Sequence, residues 1–344
     1  MTKPGEFYEY DTSVEPLAYT KEQVFQYLNR IQYFNEGEEQ ALPELSLQTL
    51  QKIQTRHLHS IPYGNTSFFY YNELDQKDEN QNAPTNPNNL LTTKGASLHP
   101  LDIFKKLVTE ERDGYCYEHN ILLSHILTNL GFNNYIVGAR TADQALFIKE
   151  RKVVMTGLRH CAIIAELNDQ KYLLDAGFSS IGNFQPVPVF EQVIEDPECE
   201  LVPLLDNTHL QVVRRYPPGQ NHLSAMIPPF YLAQGKENIW YPLFFFTFTP
   251  FFPKDIAHIN YYLVMDQTST YNEHLIIRKY IQEPEGTMAK VFDNQLKLIT
   301  LDGTVKRIHL RDENGRREAL KKYFNVDLSS LKEVIPPSFV TFDT

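Results

Sequence analysis

The stretch "RHCAIIAELNDQKYLLDAGF" spans residues 159–178, and its middle decides how the chain folds. Two apolar runs of β type flank Asn168-Asp169, a pair suited to a two-residue hairpin turn. With that turn Leu167 pairs with Gln170, His160 stands opposite Gly177, and Asp175 shares a face with His160. The diagonal between the two side chains is then about 7–8 Å at Cβ, close enough for a carboxylate to orient an imidazole. A three-residue turn would send Asp175 to the other face.

Just before the hairpin, "TEERDGYCYEHNILLSHILTNLGF" (109–132) sets Cys116 between a glycine turn and an amphipathic run. The spacing predicts a helix from about Cys116 to Leu130, capped by Asp113 or Gly114 and closed by Gly131. Leu123, Ile126, Leu127 and Leu130 would anchor it to a core. A sulfur in its first turn meets unpaired backbone N–H groups, a setting that favours an anion. A buried free cysteine used only as a small hydrophobe is the alternative.

Further out, the order is helical first, β-rich second, mixed third. "KEQVFQYLNRIQYF" and "LSLQTLQKIQTRHLHSI" have helical spacing, and Pro62 ends the second. Residues 72–96 are polar and aperiodic and are expected to be a surface insertion. A helix is expected at about 100–110. "NYIVGAR" begins a series of short β runs, "YPLFFFTFTPFFP" (241–253) reads as strand and turn, and "KLITLDGTVKRIHL" as a hairpin turning at Asp302-Gly303. "RREALKKYF" closes as a short helix.

Composition narrows the function. A formal charge of −11 argues against nucleic acid or an acidic membrane as partner. With 3 cysteines there is no disulfide framework, and the "MTKPGEFYEYD" start has no apolar leader. A reducing, cytoplasmic location is therefore expected, where free thiols persist. Cys116, His160 and Asp175 together would form a triad of thiolate nucleophile, general base and orienting carboxylate. Each also has a structural reading, as packing, a strand-end histidine and a turn residue.

The residues around these three match a known family. "RDGYCYEHN" resembles the R-G-G-aromatic-C-x-E-x-N segment of the arylamine N-acetyltransferases, through Arg112, Gly114, Tyr115, Cys116, Glu118 and Asn120. "TGLRH" (Thr156 to His160) resembles that family's T-G-x-x-H, and "DAGF" (Asp175 to Phe178) its aspartate segment. Fainter matches are "YLNRIQY" (27–33), "HLHSIPYGN" (57–65) for a segment ending in P-F-E-N, and "QEPEG" (282–286).

The resemblance implies an α+β fold in three parts: a helical bundle over 1–135 carrying Cys116, a β-barrel over 136–254 carrying His160 and Asp175, and an α/β lid over 255–344. It implies no permanently bound cofactor and acetyl-CoA, or another acyl-CoA such as malonyl-CoA, as co-substrate. The acyl group would pass through a Cys116 thioester to an arylamine, arylhydrazine or N-hydroxyarylamine. By the same carry-over, Thr156, Gly157, Ser269 and Thr270 would contact CoA, and Arg159 and Tyr115 the substrate.

Two positions depart from the family pattern. Asp113 stands where the first glycine of R-G-G is expected, and Gly64 where the glutamate of P-F-E-N is expected. From this, Asp113 would replace the lost carboxylate and neutralise Arg112. A remodelled site or a non-catalytic, ligand-binding relative is the other reading, although the intact trio speaks against the latter. A papain-like or transglutaminase-like hydrolase shares the chemistry but lacks the "TGLRH" and "DAGF" context.

The remaining candidates are weaker. His57, His59 and His119 have no further ligands at metal-site spacing, so no metal is expected. The basic run 306–322 could meet CoA phosphates, but its interspersed acids suit a solvated face better. The aromatics at 244–252 could line an aryl pocket, with core packing the default. Cys161, alternating with His160, should point into a core; Cys199 has no evident role.

Overall fold

The computed structural model describes residues 19–70, 92–93, 96–142, 150, 153–178, 185–190, 201–203, 208–214, 230–236, 239–266, 269–281 and 286–331. Thr20 opens helix α1 (Lys21–Arg30), its hydroxyl accepting from the Gln23 N–H while the Gln23 side chain accepts from the Thr20 N–H. Ser46 caps α2 (Leu47–Ser60) through the Thr49 N–H at 3.1 Å. Pro62 then breaks the helix, and the chain continues as a two-residue strand, β1 (Tyr63–Gly64). Of the insertion expected at 72–96, only the short strands β2 (Thr92–Thr93) and β3 (Ala96–Ser97) lie within the described residues.

The helix expected at 100–110 is α3 (Pro100–Phe104), continued by a wider π turn over Lys105–Thr109. Helix α4 (Cys116–Leu130) follows, with Gly131 as its C-cap. Its cap differs from expectation. Tyr115 is the N-cap, and Glu118 reaches back to accept the Tyr115 N–H at 3.2 Å, because Asp113 is engaged elsewhere.

After α4 come strands β4 (Asn133–Ala142), β5 (Met155–Leu167) and β6 (Gln170–Leu174). Asn168 and Asp169 both take left-handed φ, at 51° and 61°, so the turn has two residues. Leu167 accordingly pairs with Gln170 and Ile163 with Leu174, the register read from the sequence.

With β7 (Val187–Val189), β8 (Val202–Pro203), β9 (His209–Arg214), β10 (Phe230–Lys236) and β11 (Ile239–Pro250), these strands form one antiparallel sheet. Its order is β7-β6-β5-β4-β11-β10-β9-β8. The sheet curls so that β7 lies against β9, giving it the character of a barrel. Strand β5 is buried on both faces. Cys161, Ile163 and Ala165 join the core around α4, while Ala162 and Ile164 face Val137 and Phe244 inside the curl.

The helix Pro253–Met265 leads on to a second antiparallel sheet made of β12 (Ile276–Ile281), β13 (Thr287–Phe292), β14 (Gln295–Ile299) and β15 (Val305–His309). Gly303 sits at the β14–β15 turn, and the helix Glu313–Phe324 packs near β12. This sheet takes its first strand from far upstream: β1 pairs with β12, Tyr63 opposite Arg278 and Gly64 opposite Ile277. The architecture is α+β.

Candidate functional site

Cys116 is the first residue of α4, and the segment before it is clamped by backbone bonds. The Gly64 N–H donates to the Gly114 carbonyl at 2.7 Å, and the Gly114 N–H to the Pro62 carbonyl at 3.2 Å. Behind this loop the Lys106 ammonium bonds both Glu118 oxygens, at 2.7 and 2.9 Å, and the Ser67 hydroxyl at 2.9 Å. Burial raises the Glu118 pKa, and Lys106 opposes that rise.

A chain of buried hydrogen bonds holds the same turn. His119 Nε2 is 2.9 Å from the Gly114 carbonyl, so it must carry the proton. His119 Nδ1 then accepts from His57 Nε2 at 2.7 Å, and His57 Nδ1 from the Tyr27 hydroxyl at 2.8 Å. Both imidazoles are thus held neutral with their nitrogens occupied, which removes them as metal ligands. Among the described residues no group of three or more His, Cys, Asp or Glu is placed to hold a metal.

Burial lowers the His119 pKa to about 4 and that of His57 well below its usual range. In the unfolded chain each would bind a proton near pH 6.5. Their contribution to stability is therefore complete above that value and lost as pH falls through the folded pKa values. The expected slope is about 1.4 kcal/mol per pH unit for each histidine in that window. Denaturant midpoints at pH 7 and pH 5 check this: His57→Gln should be less stable at pH 7 but flatter in pH than the wild type. Equal slopes in the two proteins would refute it.

His160 and Asp175 meet as the hairpin register required. His160 Nε2 donates to Asp175 Oδ2 at 2.6 Å, which leaves Nδ1 for the hydrogen bond with Cys116. All three side chains are buried, Asp175 completely. Burial disfavours the imidazolium, but the Asp175 carboxylate and then Cys116 outweigh it and raise the His160 pKa to about 10. Phe178 and Phe244 pack their rings against the imidazole at 5.3 and 5.2 Å between centroids. The aromatic run therefore supplies core, and through Phe244 a wall of the site.

Asn120, one turn along α4 from Cys116, locks this arrangement. Its Nδ2 donates to the Cys161 carbonyl at 2.7 Å and to Asp175 Oδ1 at 2.9 Å, and its Oδ1 accepts from the Ala176 N–H at 2.9 Å. Gly177 explains the glycine of "DAGF": a Cβ there would lie 2.6 Å from both the Cα and the carbonyl oxygen of Cys116. Backbone must touch backbone for the aspartate to reach the histidine behind the cysteine.

One expectation is overturned. Asp113 does not pair with Arg112. Its buried carboxylate accepts from the Thr66 N–H at 2.9 Å and from the Thr66 hydroxyl, while Arg112 donates to the Tyr70 carbonyl at 3.2 Å. Tyr115, expected at the substrate, lies in the core. It is fully buried, its hydroxyl bonded to Asn260 and its ring packed on Phe68 and Tyr117, because α4 begins one residue later and turns it into the core.

The other named residues lie as follows. Thr156 bonds the Thr141 backbone N–H at 3.2 Å, and Gly157 is exposed with open space around it. Ser269 caps the short helix Thr270–Glu273, and Thr270 is exposed. Arg159 is half-buried beside His160, and Cys161 is buried in the α4 core. In the basic run, Arg316 and Arg317 both pair with Glu313. Cys199 and most of "QEPEG" lie outside the described residues.

Sequence reasoning missed Tyr63 and Tyr271, whose hydroxyls meet at 2.5 Å and whose phenols both feel the Cys116 charge. The sequence signals were the place of Tyr63 in "HLHSIPYGN" and the proximity of Tyr271 to the "TST" run.

Known proteins bear on this geometry. N-malonyltransferase FDB2 of Gibberella moniliformis is 24% identical over 302 residues, covering 83% of this chain and 79% of its own length. Arylamine N-acetyltransferase 2 of Mesocricetus auratus is 23% identical, covering 76% of this chain and 78% of its own. Among solved structures, arylamine N-acetyltransferase from Salmonella typhimurium superposes with a TM-score of 0.64 at 15% identity, over 88% of this chain and 91% of that one. The Mycobacterium marinum enzyme in complex with CoA superposes with a TM-score of 0.63 at 17% identity, over 89% and 94%. A family profile described as N-acetyltransferase matches residues 79–334, most of the chain and all three of the side chains that meet beside α4. The chain belongs to the arylamine N-acetyltransferase family.

Proposed function

We propose that the protein transfers an acyl group from acyl-coenzyme A to the nitrogen of an aromatic amine or hydrazine, through a thioester on Cys116. The observation that carries this reading is the buried contact of Cys116 with a histidine whose far nitrogen is held 2.6 Å from Asp175. Acetyl-CoA is the donor implied by the sequence motifs, and the malonyltransferase relatives favour malonyl-CoA as the second candidate. A reducing cytoplasm suits the free thiol on which the chemistry depends.

In the first half-reaction the Cys116 thiolate, its proton already passed to His160 Nδ1, attacks the thioester carbonyl. The carbon–sulfur bond to CoA breaks, and the leaving thiolate takes the proton back from His160. In the second, the amine nitrogen attacks the Cys116 thioester, His160 accepts the amine proton, and the Cys116 sulfur leaves and is reprotonated. Asp175 keeps the ring proton on Nε2 throughout, so that Nδ1 alone faces the reacting atoms.

Intact-mass measurement after incubation with acetyl-, propionyl- and malonyl-CoA tests this reading. A single acyl adduct should form, be absent in Cys116→Ala, and discharge on adding an aromatic hydrazine. No adduct with any donor would overturn the proposal.

A further inference from the structure

Arg159 interrupts the ladder beside the candidate nucleophile. Strand β4 pairs Ala139 with His160 but Arg140 with Leu158, so Arg159 is the extra residue of a β-bulge. Bulges bend a strand and re-aim the side chain at the extra position, and they concentrate next to functional sites. A second irregularity follows at once, Ala142 pairing with Met155, so the register shifts twice within five residues of His160.

Among the described residues, Arg159 makes no hydrogen bond and no ion pair. That is costly for a half-buried cation, because partial burial strips water from a charge that nothing replaces. The Arg159 charge acts on Tyr117 and Tyr271, two of the four phenols that also feel the Cys116 charge. A guanidinium offers a planar fork of donors matched to a carboxylate.

We propose that Arg159 is the counter-ion for a carboxylate on a substrate that reacts at Cys116, and is thereby a specificity residue of this site. The inference rests on the acyl-transfer reading above. The carboxylate has two chemical sources: the far end of a dicarboxylic acyl group on the donor, as in malonyl-CoA, or the ring acid of an aminobenzoate acceptor.

The test compares paired substrates on the full chain. The donor arm follows the rate of Cys116 adduct formation with malonyl-CoA against acetyl-CoA. The acceptor arm follows discharge of the adduct by 4-aminobenzoate against 4-aminobenzamide. The wild type should favour the carboxylate in at least one arm. In that arm Arg159→Gln should reduce the preference about ten- to a hundredfold, the range for one charge-assisted pair, while Arg159→Lys keeps part of it. The arm that shifts identifies the source.

The wild-type preference needs no variant to fold and already puts the proposal at risk. A wild type indifferent in both arms, or preferences equal in wild type and Arg159→Gln, would overturn it while leaving acyl transfer intact. No adduct from any donor would remove the acyl-transfer reading and this inference with it.

Discussion

Replacing Asp175 by asparagine is expected to slow acylation of Cys116 by about ten-thousandfold with the fold retained, as for triads whose orienting acid becomes an amide. The asymmetry of the Asp175 environment is the reason. Among the described residues its Oδ1 accepts two bonds, from Asn120 Nδ2 at 2.9 Å and the Gly177 N–H at 2.7 Å, while Oδ2 accepts one, from His160. An asparagine keeps the two donors satisfied only if its carbonyl takes the Oδ1 place. Its amide group then faces His160 Nε2 and donates to it.

The ring proton must therefore move to Nδ1, the nitrogen beside Cys116, and that tautomer can no longer take the proton from sulfur. The carboxylate that raises the His160 pKa is lost at the same time. Single-turnover acylation by acyl-CoA, with denaturant unfolding as the control for folding, measures the effect. A rate within tenfold of wild type would show that Asp175 does not set the tautomer.

The second large effect concerns Gly64 and Asp113, which form one packing unit. A Cβ on Gly64 would run into Asp113 Oδ2 and lie 3.0 Å from Ile277 Cγ1, so the Asp113 carboxylate fills the space a side chain at 64 would occupy. Gly64→Glu alone should cost about 3 kcal/mol or more, from overpacking and from two carboxylates in one buried place. Asp113→Gly alone strands the Thr66 N–H and hydroxyl that it now satisfies, at about 1–3 kcal/mol.

The double variant restores the family's residues at both positions. It should be more stable than Gly64→Glu alone, because loss of the Asp113 carboxylate vacates the space the new side chain needs, and that side chain brings a carboxylate back toward the Thr66 donors. Denaturant unfolding of the four proteins gives the coupling directly. Additive losses would mean that the two departures arose independently. The swap also answers what an acid does beside Arg112: it holds the β1 segment against the Cys116 loop.

Much of this site was legible in local sequence. Asn168-Asp169 specified a two-residue turn, the turn specified the register, and the register put Asp175 on the His160 face. The spacing of Leu123, Ile126, Leu127 and Leu130 specified α4, and with it the place of Cys116 at a helix start. Asn120 was visible only as a motif letter; its role as the clamp between Cys161, Asp175 and Ala176 required the folded chain. The cap of α4 was misjudged because Asp113, a good capping residue by type, has a stronger demand on it from Thr66.

What the sequence by itself determined is what depends on neighbours a few residues apart: helices, strand alternation and the hairpin register that brings Asp175 to the His160 face. Periodicity and turn chemistry act over that range, so the chain carries them openly. Only the tertiary structure decided which distant groups meet. Lys106 pairs with Glu118, Tyr63 with a tyrosine 208 positions away, and β1 joins a sheet whose other strands begin at Ile276. These contacts are set by how elements pack, where many polar residues compete for few buried partners. It is packing, too, that leaves Arg159 beside the site with no partner among the described residues.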